Sequence, residues 1–285
     1  MDDALRSRLE QLNRGALAAA PARPVMPARS AATASRAWRA GRVPPLPGLV
    51  RRGAAATTDA GAHWLIERPV EDVWPGGEQL VARRAAALRQ AAGDAAAASA
   101  DPLAPFIRCL PEGAALLDLE TCGLAGSALF LVGLLRWIGG RPTLELLLAR
   151  DYAEEAAVLT SLWQRLADVE ALATFNGKSF DWPMVADRSR RHRLPAPPPA
   201  VHVDLLHASR RRWGASLPDC RLQTLERRIC GRERPDDIPG SQIPAAYEQY
   251  VRTGFEREMD AILLHNAVDL VTMLDLSLRL AGPGE

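Results

Sequence analysis

In the sequence AALLDLETCGL, residues 114–124, the part AALLDLET (114–121) predicts a buried strand with two carboxylates near its end. Its first half is a short apolar run, which is typical of a strand in the core of a sheet. Side chains alternate along a strand, so Asp118 and Glu120 point to the same face and Leu119 points to the other. Two neighbouring carboxylates repel each other unless a cation lies between them. The turn at the following glycine is expected to leave both acids at a cleft.

The segments after this strand predict a mixed sheet with helices at its sides. Two further apolar segments, 129–137 and 143–150, are separated by the turn sequence GGRP and indicate an antiparallel meander with the first strand. Helical and strand-like patterns then alternate. They predict helices over 154–169, 182–193, 221–231 and 256–280 and strands over 171–175 and 201–206. This order is typical of an α/β fold.

The first hundred residues have a different composition. Between Gln11 and Thr58 the chain has arginines but no acidic residue, with Ala and Pro between them. Such a segment buries too little apolar surface to fold alone, so residues 1–60 are predicted to be a disordered basic tail. Residues 61–100 are predicted to be an extension with an Ala-rich linker helix. The tail is a candidate for phosphate contacts on nucleic acid, or a solvated leader without such a role.

Charge and cysteine usage exclude several classes of protein. The formal net charge of +1 is not that of a generic polyanion binder. The four cysteines show neither C-x-x-C pairs nor zinc-type spacing with histidine, which indicates small hydrophobic side chains in a reducing compartment, and hence a cytoplasmic protein. The longest apolar candidate, residues 127–140, is short and contains Arg136, so no membrane association is expected.

The segment TFNGKSFDWP, residues 174–183, places another acid at a strand-to-helix junction. It carries Lys178, the only lysine of the chain, and Asn176, one of three asparagines. A chain that uses arginine almost everywhere else is expected to keep lysine where a compact charge is needed, such as at a phosphate. Asp181 follows just before the predicted helix. Capping of that helix is the alternative role for this carboxylate.

The final predicted helix contains the segment LLHNAVDL, residues 263–270. His265 and Asp269 are four residues apart, so they lie on the same face of the helix. Both interrupt a pattern of apolar core residues. A hydrogen bond between the two side chains on a partly buried helix is the alternative to a functional role.

Taken in order, D-x-E, N-x-x-x-F-D and H-x-x-x-D resemble the motifs of the DEDD 3′–5′ exonuclease superfamily, which has the ribonuclease H-like fold. The segments DLETCGL, FNGKSFDWP, HVDLLHASRRRWG, DDIPGSQIPAAYEQY and LHNAVDL are similar to those of its YprB-type branch. The resemblance implies a ribonuclease H-like domain over residues 101–281, with an antiparallel meander followed by parallel strands.

The same resemblance implies two-metal hydrolysis of phosphodiester bonds, with Mg²⁺ or Mn²⁺ as the two ions. In that scheme Asp118 contacts both ions, Glu120 and Asp269 complete one site, and Asp181 serves the other. His265 is the implied general base.

Some positions depart from the family pattern or have two possible roles. Histidine-type members have the histidine five residues before the last acid, whereas tyrosine-type members have tyrosine four before; here His265 stands at the tyrosine spacing, so the identity of the base is open. Cys122 replaces the more common threonine of the turn. Leu124 matches a residue that wedges against the terminal base in relatives, or is a core leucine. Asn176 and Lys178 are predicted to position substrate, and Asn266 is predicted to orient either His265 or the substrate.

The region from Trp182 to Arg234 is strongly basic, with twelve arginines against five acids, an excess of seven. Beside a metal cleft, this excess favours contacts with a nucleic-acid backbone, although any one cluster is also typical of a solvated helix face. Trp182 and Trp213 are candidates for base stacking or for the core. The motif H-x-D-x-x-H at residues 202–207 suggests a separate metal site, but the preferred interpretation is that Asp204 supports the metal ligands without binding the ions itself.

The sequence therefore predicts a metal-dependent nuclease, specifically a 3′–5′ exonuclease on single-stranded DNA or RNA. A nucleic-acid-binding module of the same fold with weak turnover, and a structure-specific endonuclease, are the alternatives. No P-loop, G-x-S-x-G or dinucleotide motif supports another enzyme class. The choice between DNA and RNA, the role of residues 1–100, the pathway and the oligomeric state stay open.

Overall fold

A seven-stranded mixed sheet forms the centre of the computed structural model, which describes residues 42–44, 46–94, 103–123, 126–234 and 237–282, apart from the side chains of 89 and 91–94. The strands are β1 (Ala54–Thr58), β2 (Gly61–Pro69), β3 (Ala114–Thr121), β4 (Leu129–Ile138), β5 (Arg141–Leu148), β6 (Ala171–Thr174) and β7 (Val201–Asp204). Across the sheet they lie in the order β1-β2-β5-β4-β3-β6-β7.

The sheet combines the predicted antiparallel meander with parallel strands. β3 pairs antiparallel with β4, with Asp118 opposite Gly133, and β4 pairs antiparallel with β5 through a turn at Gly139 and Gly140. β6 and β7 continue the sheet on the other side of β3, both parallel to it. The prediction of a ribonuclease H-like mixed sheet is therefore confirmed.

Helices cover both faces of the central strands. All residues of β4 from Leu129 to Leu135 are buried, which requires apolar neighbours on each side of the sheet. The long C-terminal helix packs on β3, β4 and β5, and the helix after β5 packs on β1, β2, β4 and β5. The helices are α1 (Gly77–Asp94), α2 (Ala104–Cys109), α3 (Glu155–Leu166), α4 (Asp181–Arg191), α5 (Leu205–Trp213), α6 (Leu222–Leu225), α7 (Ile243–Thr253) and α8 (Arg257–Ala281).

The segment before residue 60 differs from the predicted disordered tail. Residues 1–41 and 45 lie outside the described residues, but from Arg42 onward the chain contains buried Val43, Leu49 and Val50 and the strand β1. β1 and β2 extend the same sheet through β5, so the domain begins well before residue 101. This part of the chain orders because α3 and α8 supply the apolar surface that the segment lacks by itself.

The C-terminal helix α8 has the predicted length, but its apolar composition was missed in the sequence, where residues 127–140 were the longest apolar candidate. By length and hydropathy it meets the criteria for a membrane-spanning helix, with a mean hydropathy of 1.4 over its most apolar stretch. However, 78% of that stretch is buried inside the protein, against the sheet and α7. This burial is that of a core helix.

Candidate active site

The fold brings the four predicted acids into one cluster. Asp118 and Glu120 lie at the end of β3, Asp181 is the first residue of α4, and Asp269 lies on α8. Burial, followed by the charges of Asp269, Glu120 and Asp181, raises the pKa of Asp118 well above its ordinary value. Three segments that are distant in sequence therefore place carboxylates within electrostatic reach of each other.

The protein supplies too little positive charge to balance this cluster. Burial and the neighbouring acids raise the pKa of Glu120 to about 8, against the opposing charge of His265. Burial and the charges of Asp204 and Asp269 raise the pKa of Asp181 to about 7. Carboxyl groups with such pKa values favour a proton or another cation.

Asn266 forms a hydrogen bond with the carboxylate of Asp118. Its side-chain Nδ2 donates a hydrogen bond to Asp118 Oδ2 at 2.7 Å, and the residue is fully buried. The amide fits only because the facing strand has Gly133, where an added Cβ would lie 1.8 Å from Asn266 Oδ1. Asn266 was predicted to orient His265 or the substrate, whereas the structure places its amide on the first acid.

His265 lies between two carboxylates. Its Nδ1 is 2.8 Å from Asp237 Oδ1 and its Nε2 is 3.4 Å from Asp269 Oδ2. Burial acts to lower the pKa of His265, but the hydrogen bond with Asp237 and the charges of Asp269 and Glu120 outweigh it and raise the pKa to about 9. Asp237 was missed in the sequence, because it lies in a loop and no local spacing links it to the histidine.

Arg234 is a second residue that the sequence did not single out. Its Nη2 forms ion pairs with Asp269 and with buried Glu226, and Thr272 donates a further hydrogen bond to Glu226 at 2.6 Å. Glu226 opens a π-helical turn, Glu226–Cys230, where the sequence predicted a regular helix. Such turns are frequent at functional sites.

The loop before Asp181 is shaped by Asp204. The Asp204 carboxylate accepts hydrogen bonds from the backbone N–H of Asn176 at 2.8 Å and of Lys178 at 3.3 Å, and it caps α5 through Leu206 N. Asn176 has a positive φ of 63°, a conformation that asparagine tolerates better than most residues. The left-handed backbone conformation is therefore a structural explanation for asparagine at position 176, and the Lys178 side chain is exposed.

The motif at residues 202–207 does not form a metal site. His202 Nε2 lies 2.9 Å from Thr174 Oγ1, His207 is exposed, and the carboxylate of Asp204 is used by the loop. Asp181 is preceded by Phe180 at the helix N-cap, which makes no side-chain capping bond. Leu124 lies outside the described residues.

The basic region divides into internal and exposed arginines. Arg188 pairs with buried Glu155, and Arg232 pairs with buried Asp275, so neither is free for a ligand. Residues 210–212 are exposed on α5. Trp182 packs edge-on against Trp163, with ring centroids 5.7 Å apart, which is the core role rather than base stacking.

The donor set of the cluster fits hard divalent cations, which prefer carboxylate oxygens. In the described part of the chain no three His, Cys, Asp or Glu side chains converge tightly enough to hold an ion as they stand. Asn266 and Arg234 engage Asp118 and Asp269 respectively. Burial nevertheless raises the pKa values of Glu120 and Asp181, because burying a carboxylate with too little counter-charge is costly.

Sheet order, flanking helices and the converging acids define a ribonuclease H-like protein. The chain belongs to the RNase_H superfamily, whose family model matches residues 115–281. Ribonuclease H-like nucleases act on nucleic acid and generally use divalent metal ions.

A curated relative supports the same assignment. Over 169 aligned residues the chain is 34% identical to "Uncharacterized protein YprB" of Bacillus subtilis (strain 168). The aligned region covers 58% of this chain and 41% of the relative. The chain thus spans less than half the length of the curated relative that it matches.

Proposed function

We propose that this protein is a metal-dependent 3′–5′ exonuclease acting on single-stranded DNA or RNA. The observation that carries the proposal is the meeting of Asp118, Glu120, Asp181 and Asp269 in one cluster whose pKa values are raised at Asp118, Glu120 and Asp181. An arrangement that costs stability in the absence of a cation is expected where function requires the cation.

The four carboxylates are the proposed holders of two Mg²⁺ or Mn²⁺ ions, with Asp118 shared, Glu120 and Asp269 on one ion, and Asp181 on the other. When bound, the ions supply positive charge that activates water and stabilises the leaving oxygen of the phosphodiester. Asn266 keeps Asp118 oriented through its hydrogen bond, and Asp204 keeps the loop before Asp181 in place.

His265 is the proposed general base, acting through Nε2. Its Nδ1 is fixed by Asp237, so Nε2 faces the acid cluster beside Asp269. A base must be neutral, and the pKa of about 9 keeps this imidazole protonated at neutral pH while the carboxylates are uncompensated. When the ions are bound, the charges of Asp269 and Glu120 are neutralised. This removes two of the causes that raise the pKa of His265.

The substrate backbone is proposed to contact Lys178 and the exposed arginines of residues 210–212. These side chains are exposed, and Lys178 lies three residues before Asp181. Exposed positive side chains favour contact with the phosphates of a polyanion.

The test is degradation of a 5′-labelled oligonucleotide with Mg²⁺ or Mn²⁺ and with a chelator. An exonuclease produces a ladder from the 3′ end, and an endonuclease produces internal fragments. We expect His265→Gln to reduce the rate strongly, since it is His265 whose Nε2 pairs with Asp269, whereas His63, His192 and His202 contact Trp64, Glu155 and Thr174. A rate unchanged from wild type would remove His265 from the mechanism.

A nucleic-acid-binding module with weak turnover is favoured by one observation. The Arg234 guanidinium occupies Asp269 and thereby competes with a cation for that carboxylate. Chelator-insensitive binding of single strands, without degradation under any metal, would support the module over the exonuclease.

A further inference from the structure

A segment outside the matched family domain lies beside the acid cluster. We call residues 42–44 and 46–53 the N-terminal strap. Its Val43 N–H donates a hydrogen bond to the carbonyl of Glu233 at 3.1 Å, directly next to Arg234. The strap therefore touches the loop that carries two of the cluster's partners, Arg234 and Asp237.

The strap is anchored on the first turn of α8. The backbone N–H groups of Gly48 and Val50 donate to the two carboxylate oxygens of Asp260, at 2.7 and 2.9 Å. Trp64 Nε1 donates a hydrogen bond to the carbonyl oxygen of Val50 at 2.7 Å. Since Leu49 is also buried, the strap is a fixed part of the fold rather than a loosely attached segment.

Between the strap and α8 lies a pocket of about 470 Å³. Its walls are apolar, with Pro44 and Leu46 on the strap and Leu264 and Val268 on the helix. His265, Arg234 and Asp237 line it as well. Because His265 and Arg234 both contact Asp269, the pocket adjoins the acid cluster.

The polar groups of the pocket favour an anion. The Arg234 side chain is only 7% exposed and already faces three carboxylates, because Nη2 pairs with Glu226 and Asp269 and Nη1 lies 3.7 Å from Asp237 Oδ2. Arg42 and Arg257 also line the pocket, and no described residue forms an ion pair with either of them. The two acids of the lining are already engaged, Asp260 by the strap and Asp237 by His265.

We propose that this pocket binds one nucleoside monophosphate unit, namely the terminal nucleotide of the substrate or its released product. The apolar walls receive the base, and the guanidinium groups of Arg42 and Arg257 bind the phosphate. The volume lies within the range of small-ligand pockets, about 300–1,000 Å³. The inference rests on the proposed nuclease function and adds to it a subsite that the strap creates.

The test is calorimetric titration of the full chain with a nucleoside 5′-monophosphate in the presence of a chelator, so that binding is measured without turnover. Adenosine and inorganic phosphate are titrated separately. We expect the monophosphate to bind more tightly than either part. Equal binding of inorganic phosphate alone would overturn the nucleotide assignment, and no binding of the monophosphate would overturn the pocket as a ligand site.

Two variants locate the binding. Leu264→Trp fills the pocket and is expected to weaken binding at least tenfold, and Arg257→Ala, at an exposed position that leaves the fold intact, is expected to weaken it about tenfold by loss of a charged hydrogen bond. Arg252→Ala, an exposed arginine of α7 that does not line the pocket, is the matched control and should bind as wild type does. Unchanged binding in Arg257→Ala and Leu264→Trp would overturn the assignment of the pocket.

The same variants separate this inference from the nuclease proposal. Nucleotide binding that is lost in Leu264→Trp, together with a wild type that degrades no oligonucleotide, contradicts the nuclease proposal alone. A wild type that degrades oligonucleotides, with nucleotide binding insensitive to both pocket variants, contradicts the pocket alone.

Discussion

Two regions of this protein contain buried carboxylates. Neighbouring groups hold the pKa down in one region, whereas the pKa values are raised in the other. Glu155, at the start of α3, accepts hydrogen bonds from Arg188 at 2.7 and 2.5 Å, from His192 at 2.9 Å and from the backbone of Leu129 at 2.8 Å. Burial acts to raise the pKa of Glu155, but these hydrogen bonds outweigh it and hold the pKa below its ordinary value.

The acid cluster lacks such compensation. Asp118 has the neutral amide of Asn266 as its hydrogen-bond partner, and the guanidinium of Arg234 is shared between Asp269 and Glu226. The pKa values of Asp118, Glu120 and Asp181 are raised as a result. Glu155 is therefore a structural ion-pair site, whereas the raised pKa values of the acid cluster are the basis of the proposed cation site.

The largest expected effect is on turnover. Asp118→Asn should reduce oligonucleotide degradation by on the order of a thousandfold, because it removes the carboxylate proposed to contact both ions. Without metal, the same variant should be at least as stable as wild type, since it removes one of the repelling charges. Chemical denaturation in chelator measures the stability. A less stable Asp118→Asn protein would contradict the view of the cluster as uncompensated.

Glu155→Gln is the matched change in the other region and should have the opposite effect. It leaves Arg188, whose side chain is 12% exposed, without its anionic partner. Breaking a buried ion pair in this way costs about 3–5 kcal/mol of unfolding free energy. Denaturant titration measures the loss. A cost below about 1 kcal/mol would mean that the Glu155 site is no more compensated than the acid cluster.

Divalent ions should stabilise the protein to a different extent when one or the other region is altered. Saturating Mg²⁺ or Mn²⁺ at a hundred times its dissociation constant should stabilise the wild type by about 2.7 kcal/mol, because only the folded chain assembles the site. The gain should persist in Glu155→Gln and disappear in Asp118→Asn. Thermal unfolding with and without chelator gives the comparison, and equal gains in both variants would locate the ion elsewhere.

The stability of the chelated protein should fall as pH rises from about 5 to 9. Folding raises the pKa of Glu120 from 4.5 to about 8 and that of His265 from 6.5 to about 9. The folded state then binds more protons than the unfolded state within this range, so the free energy of unfolding decreases with pH. Glu120→Gln should flatten the dependence in denaturant titrations at several pH values. A stability that rises over the range would contradict the raised pKa values.

The smallest effect is expected from the packing beneath Asp118. Gly133→Ala introduces a Cβ 1.8 Å from Asn266 Oδ1, so Asn266 must shift away from Asp118. We expect about a tenfold loss of turnover, since a displaced carboxylate binds the ion less well. Gly240→Ala, where an added Cβ meets nothing within 4 Å, is the control. Equal activities of the two variants would show that Asn266 does not orient Asp118.

Local sequence patterns predicted much of the fold. The apolar run of β3 and its turn predicted that strand with the same bounds, 114–121, and the meander through β4 and β5 followed from the turn at Gly139 and Gly140. β1, with the sequence AAATT, was missed because its small side chains give no strand signal. It becomes a strand by pairing with β2, which no local pattern encodes.

The sequence by itself determined which acids are available, on which strand or helix each one lies and on which face it points, because alternation and helical periodicity are set by short-range sterics. Only the tertiary structure decided which charges meet. Arg234 reaches Asp269 across 35 positions and Asp237 reaches His265 across 28. Electrostatic balance depends on distances in space, and those exist only once the sheet and α8 have packed together.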